Sequence, residues 1–202
     1  MDSFSDWADD LDRMLDHGLG EIERAVQDRH HGFRTFGLST IGLDGVPRSR
    51  IVVLRKVFAA DWMIRFHTDS RSDKVDEIAK DPRISVLFYD KDLKLQMRAR
   101  GRAALYRGDE AALAAFEGAK PLGRVCYRIR PGPGSIIERG GDYSHSTPGE
   151  AEGTTADPGF PNFCAVDLVL GEIEILYLAH EAHRRARFTK TGEGYGASWL
   201  AP

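Results

Sequence analysis

Between residues 93 and 106 the side chains alternate without interruption: Leu93, Leu95, Met97, Ala99, Gly101, Ala103 and Leu105 on one parity, Lys94, Gln96, Arg98, Arg100, Arg102 and Ala104 on the other. Successive residues of a strand point to opposite faces, so this stretch predicts a long strand with one apolar face and one basic face. Such a strand needs neighbours. The runs 33–41, 49–57, 62–68, 84–89, 162–170 and 172–178 supply them, each short and rich in β-branched or aromatic residues. Asp44-Gly45 marks a hairpin turn between 33–41 and 49–57. The last runs precede residues 184–190 and a turn over 192–196.

Helical patterns are few. Trp7, Leu11, Met14, Leu15, Leu19, Ile22 and Val26 recur at helical spacing over 5–29, with Gly18 and Gly20 leaving one helix or two open. A short helix over 72–80 stops before Pro82, with Ser70 or Ser72 as its N-cap. Asp109 caps a helix over 110–117 that ends at Gly118. Residues 122–129 fit a strand or a helix equally. Many strands, few helices and no βαβ rhythm give a mainly β (α+β) antiparallel fold, a barrel or a sandwich.

The chain's 202 residues are expected to form one domain, 1–202, with 130–161 as a long Gly- and Pro-rich loop. The glycines of 130–141 match neither phosphate-loop nor dinucleotide fingerprints. A net charge of −3 argues against a general nucleic-acid or membrane-surface binder, and no apolar run is long enough to cross a bilayer. With an acidic N-terminus that lacks the features of a leader, a cytoplasmic location is expected. Cys126 and Cys164 form no metal-ligand spacing, so no metal is expected.

Cations at the strand ends carry the chemistry. If the runs are neighbouring strands, Arg50, Arg55, Arg71 and Lys74 can converge on one rim, where an anion relieves their mutual repulsion. Phosphate suits them, because Arg offers a planar fork and Lys a point charge. Arg50 and Arg55 are an odd number of residues apart, so a bulge or the strand end must redirect one of them.

These motifs, namely Arg50-x-x-x-x-Arg55, Phe66-His67-Thr68-Asp69, Ser72-x-Lys74 opening a helix, and Gln96 in a strand that reaches Arg100-Gly101, resemble the pyridoxamine 5′-phosphate oxidase-like FMN-binding split-barrel family. The likeness runs over 37–106 and resumes from 162 to the C-terminus. It implies a six-stranded antiparallel split β-barrel with flanking helices, a homodimer, and FMN at the subunit interface. It assigns FMN contacts to Arg50, Ile51, Val52, Val53, Arg55, His67, Thr68, Ser72, Lys74, Gln96, Tyr177 and Arg187. Where relatives often carry Arg, this chain has Asp73, and Arg71 is expected to restore the lost cation. The family's substrate-binding Arg-x-His falls on His183-Arg184-Arg185, with the two residue types exchanged, so His183 and Arg185 are the substrate candidates.

The family's chemistry resides in the flavin, so no side chain is expected to be catalytic. The first expectation is an FMN-dependent oxidoreductase acting on a small molecule. A phosphate-gripping Tyr, Arg and Ser set is not recognisable in 115–124, which opens a second reading: a flavin reductase or a dehydrogenase with a substrate other than a B6 vitamer. A third is a binding module whose Lys94, Arg98, Arg100 and Arg102 face contacts nucleic acid or an acidic partner.

Overall fold

The computed structural model describes residues 6–144, 153–180, 182–192 and 194–202. Ser5 of the expected N-terminal helix, residues 145–152 of the expected loop and Glu193 of the expected turn lie outside them.

The chain begins with helix α1 (Leu11–Gln27), capped by Asp10, whose carboxylate accepts the Arg13 N–H at 2.9 Å. It is one helix, not two. At Gly18 an added Cβ would come within 2.7 Å of Ile175 Cδ1 and 3.1 Å of Met97 Sδ, so glycine lets the helix lie close on the sheet. Met14, Leu15, Ile22 and Ala25 bury the apolar stripe against it.

Six strands close the barrel: β1 (Thr35–Ile41), β2 (Pro47–Phe58), β3 (Met63–Asp69), β4 (Arg83–Asp90), β5 (Leu95–Tyr106) and β6 (Phe163–Tyr177). The order β3-β2-β1-β4-β5-β6 is joined at its ends by antiparallel pairing of β3 with β6. Inward residues of all six, including Phe36, Leu38, Leu54, Phe66, Val86, Phe88, Met97 and Leu168, fill the interior. The short helix α2 (Asp73–Lys80) links β3 to β4 and packs on β1 and β5. Ser72 occupies its N-cap position, yet its hydroxyl donates backward to the Asp69 carbonyl at 2.6 Å instead of capping the helix.

The two runs 162–170 and 172–178 form one strand, β6. Gly171 was the apparent break; it is instead the extra residue of a bulge, because Arg100 pairs with Glu172 while Gly101 pairs with Leu170. The N-terminal half of β6 pairs with β3 and closes the barrel. Its C-terminal half pairs with β7 (Arg184–Thr191), which carries β8 (Gly194–Leu200) beyond the barrel. Strand β8 corrects the expected turn over 192–196: the chain reverses at Gly192 and then pairs, Gly194 opposite Thr191. Residues 93 and 94 likewise precede β5, with Lys94 at φ 54 in the turn.

The ambiguous stretch 122–129 is helical: α3 (Glu110–Glu117) is followed by α4 (Pro121–Arg124) and a tight turn over Val125–Arg128. Phe116, Tyr127, Phe160 and Phe163 form a second apolar cluster on the outer side of β6. That cover explains why β6 is buried on both faces over Phe163–Leu168. Among the described residues of 130–161, only a short turn beginning at Phe160 is regular. Among the described residues, no helix is long and apolar enough to cross a membrane.

The crossing of β5 and β6 at Gly101 leaves no room for a side chain, since a Cβ there would lie 2.0 Å from the Val169 carbonyl oxygen. Gly101→Ala is expected to destabilise the protein by about 2–4 kcal/mol, read as a lower urea midpoint; an unchanged midpoint would show that the bulge can relax.

Candidate functional site

A cleft of about 700 Å³ opens where β2 meets the first turn of α2, lined by Arg48, Arg50, Ile51, Ser72, Asp73, Lys74 and Glu77, with Pro133 and Gly134 opposite. Arg50 is held in place from behind. Its guanidinium donates to Glu77 at 2.7 Å and to the Thr40 hydroxyl, and Thr40 itself donates to Glu77 at 2.6 Å. Glu77 is buried, so this pairing offsets the cost of its charge and fixes the Arg50 fork. Arg48 is similarly engaged by Asp44 at 2.7 Å. Lys74 differs: among the described residues it donates to the Thr68 hydroxyl, at 3.1 Å, rather than to a carboxylate. Burial, and then the neighbouring Arg50 charge, hold its ammonium below the usual lysine range. An incoming anion therefore finds a cation that is partly desolvated and not neutralised, beside a hydroxyl and a helix N-terminus.

The other assigned FMN contacts are distributed around this cleft and away from it. Ile51 lines it and is 70% exposed, whereas Val52 is packed in the core and Val53 is half-buried. Of the bulge or strand end expected from the Arg50/Arg55 spacing, a bulge is present, since Leu54 pairs with Phe66 and Lys56 with Arg65, leaving Arg55 as the extra residue. Arg55 does not line the cleft; its charge acts on His67 and Tyr127. Burial, then Arg55, then Arg65 push His67 down from the ordinary 6.5 to about 3, and its ring meets Phe163 edge-on at 4.9 Å. Arg71 forms a two-pronged pair with Asp69, at 2.9 and 2.6 Å, and donates to the Ile129 carbonyl at 3.0 Å.

A second group lies on the outward face of the extended sheet. Register sets Gln96 beside Leu176 and Arg185, and Arg98 beside Glu174 and Arg187. A smaller cavity of about 260 Å³ is lined there by Arg98, Arg100, Glu172, Glu174, Arg185 and Arg187. Burial pushes the Glu174 carboxyl up, but hydrogen bonds from Arg98 and Arg185 outweigh it and hold the group below the usual glutamate range. The expected basic face of β5 is thus balanced: Arg98 pairs with Glu174 and Arg100 with Glu172. The alternating Glu172-x-Glu174 was the available signal for this. Tyr177 stands on the opposite parity, opposite Leu95 and 4.8 Å from the ring of Trp7, which also stacks on His17 at 4.0 Å. His183 is exposed just before β7. The two clefts share no lining residue. Within one chain, the Arg50–Lys74 group and the Gln96–Arg185–Arg187 group therefore remain separate.

Among the described residues, no group of three or more His, Cys, Asp or Glu could hold a metal ion. Thr40, Glu77 and the Pro133-Gly134 wall escaped the sequence reading because nothing local ties them to Arg50. His67 gives a measurable consequence. It stays neutral in the fold while the unfolded chain protonates near 6.5, so stability is full above that pH and falls as pH drops from 6.5 toward 3. The wild-type stability curve is expected to be steeper across that window than that of His67→Gln, by up to about 1.4 kcal/mol per pH unit, in urea melts at stepped pH.

Residues 18–107 match the family described as pyridoxamine 5′-phosphate oxidase, FMN-binding domain. A pyridoxine/pyridoxamine 5′-phosphate oxidase of Nocardioides sp. is 39% identical over 121 residues, covering 59% of this chain and 54% of that protein. One of Granulibacter bethesdensis is 42% identical over 77 residues, 37% of this chain and 36% of that protein. The chain thus spans about half, or less, of the curated relatives it matches. Two crystal structures share the fold. A pyridoxamine 5′-phosphate oxidase-related FMN-binding protein of Nostoc punctiforme has a TM-score of 0.76 at 23% identity, over 92% of this chain and 96% of that one. PhzG of Burkholderia lata, solved with tetrahydrophenazine-1-carboxylic acid, has a TM-score of 0.73 at 19% identity, over 100% of this chain and 99% of that one. The domain matched over 18–107 includes Arg50, Ser72, Lys74 and Gln96. Over those residues the chain is similar to the FMN-binding domain of the pyridoxamine 5′-phosphate oxidase family, and the barrel they form with β6 has the fold of the two crystal structures.

Proposed function

We propose that this protein is an FMN-dependent oxidoreductase of small molecules that works as a homodimer in the cytoplasm, where its exposed Cys126 thiol stays reduced. The observation that carries the reading is the single cleft shared by Arg50, Ser72 and Lys74 inside the FMN-binding domain. Its donor set fits the phosphate of FMN: a guanidinium fork fixed by Glu77, the first-turn N–H groups of α2, and an ammonium that pairs with no carboxylate among the described residues. FMN, once bound, supplies the two-electron chemistry. The chain's own part is to grip, orient and shield. Arg50, Lys74 and the α2 N-terminus that follows Ser72 grip the phosphate, while Gln96 donates and accepts at the flavin. His67, held neutral, adds no charge beside it.

A second copy completes the site. Ile51, Leu87 and Tyr89 are 70%, 45% and 53% exposed, and Ile51 and Leu87 share with Arg98, Glu174 and Arg187 one cross-strand row through Gly37. Burying these apolar residues against a second chain brings one subunit's Gln96, Arg185 and Arg187 toward the other's phosphate cleft. Ile51→Asp with Leu87→Asp is expected to shift the protein to a monomer in sedimentation and to lower FMN uptake; a dimer that persists would place the interface elsewhere.

The substrate is read as something other than a B6 phosphate. Arg124, the only arginine in 115–124, directs its guanidinium to the carbonyls of Phe116 and Glu117 at 3.4 and 3.0 Å and lies over the Phe116 ring. That leaves Lys120 as the exposed cation of this stretch. Purified protein is expected to take up FMN, and Arg50→Ala with Lys74→Ala to weaken uptake on the order of a hundredfold or more, from two lost charge-assisted contacts. Flavin-loaded protein given pyridoxamine 5′-phosphate under oxygen is expected to form no pyridoxal 5′-phosphate. Steady turnover there would restore the B6 reading, and failure to bind FMN would remove the flavin reading altogether.

A further inference from the structure

The cleft has a floor and a wall of different origin. The floor comes from β2 and α2, but the wall is Pro133 and Gly134, from the long segment after α4. One side chain joins the two. Arg71, two residues before α2, takes both Asp69 carboxylate oxygens with its Nε and Nη2 and donates from Nη2 to the Ile129 carbonyl. Asp69 is buried, and its Oδ1 also accepts the Arg71 backbone N–H at 2.9 Å, so the guanidinium is fixed at its root as well as its tip. Gly132 then lies flat on it: a Cβ at that position would stand 3.2 Å from Nε and 3.3 Å from Cζ. Two residues on, Gly134 adopts φ +81 and turns the chain past Asp73 into the cleft wall. Behind this, Arg130 and Ser144 close the base of the segment, with the Ser144 N–H donating to the Arg130 carbonyl at 2.7 Å. The wall is thus anchored at its base by Ser144 and at its approach to the cleft by Arg71.

We propose that Arg71 is a positioning residue: paired with Asp69, it pins residues 129–134 as the second wall of the Arg50–Ser72–Lys74 cleft and so controls how fast a phosphate-bearing flavin leaves. This rests on the flavin reading above for its ligand, though not for its geometry. It differs from direct contact with the phosphate, the role that the lost cation at Asp73 led the sequence to assign to Arg71. The two roles predict opposite signs. If Arg71 gripped the phosphate itself, Asp69→Asn would release a competing carboxylate and tighten binding; if Arg71 acts through the wall, Asp69→Asn loosens it as removing Arg71 does. A lysine keeps the charge but cannot span Asp69 and the Ile129 carbonyl with one planar fork.

The experiment compares wild type, Arg71→Ala, Arg71→Lys and Asp69→Asn. FMN and riboflavin are titrated by flavin fluorescence, FMN release is timed after dilution, and amide exchange of the 129–135 peptide is followed without ligand; thermal melts identify any variant that does not fold. The expected result is that all three variants release FMN about tenfold faster and exchange faster at Arg130 and Ser135, whose N–H groups donate to Ser144 Oγ and to the Gly132 carbonyl, with little change for riboflavin. Tighter FMN binding by Asp69→Asn, rescue by Arg71→Lys, or unchanged exchange and release would overturn the proposal. Should wild type bind no flavin, the functional reading falls by itself. The wall is then judged on exchange alone, where faster exchange in Arg71→Ala and Asp69→Asn supports the clamp and unchanged exchange defeats it.

Discussion

Strand β6 has to serve three neighbours, and the architecture follows from how it manages this. One edge runs along β5 for its whole length, while the other is divided between β3 and β7. A straight strand cannot turn one edge toward two sheets that diverge. The extra residue Gly171, set against the close approach at Gly101, supplies the bend. Closure is reinforced where Arg65 and Asp167 face each other across β3 and β6 with two hydrogen bonds of 2.6 and 2.7 Å. With Asp167 buried, this pair acts mainly by fixing register, since a slip of one residue would strand the carboxylate.

Charge follows a consistent rule in the molecule. Among the described residues the buried acids each meet arginine: Glu21 with Arg24, Asp69 with Arg71, Glu77 with Arg50, Asp157 with Arg128, Asp167 with Arg65 and Glu174 with Arg98 and Arg185. Clustered cations in an empty site repel one another, and Glu77 offsets that cost before any ligand arrives. Lys74, which pairs with no carboxylate among the described residues, carries the attraction that remains for an anion in the cleft. The same pairing accounts for the outward face of β5, where Glu172 and Glu174 balance a stripe that is strongly basic when read alone.

How much of this was legible varies with the physics. Alternation revealed β3 and β5, and short runs rich in β-branched or aromatic residues revealed β1, β2 and β4, because each strand has one face in the core. The odd spacing of Arg50 and Arg55 asked for a bulge or a strand end if both were to meet one ligand; a bulge is there, yet Arg55 does not line the Arg50 cleft and its charge acts on His67. Strand β8 was invisible: Gly194, Tyr195, Gly196, Ala197 and Ser198 bury too little on either side to show a period. In β6, Gly171 looked like a turn because a bulge and a turn ask for the same residue. The acids behind the cleft were hidden for another reason. Glu77 and Thr40 are 37 residues apart and meet only once the barrel closes, and the wall at Pro133 comes from a segment with no periodicity at all.

The split origin of the cleft bears on how such a protein can diversify. Floor residues share their elements with the core: Lys74 and Glu77 flank Val75 and Ile78, which are buried, so change there is felt as instability. The wall shares no strand or helix with the core and is held by the Arg71 grip on Ile129, the packing of Gly132 on Arg71 and the Ser144 contacts at its base. New ligand preferences can therefore accumulate along that strap by drift and selection while the barrel beneath keeps its melting temperature, separating adaptation from foldability within a single chain.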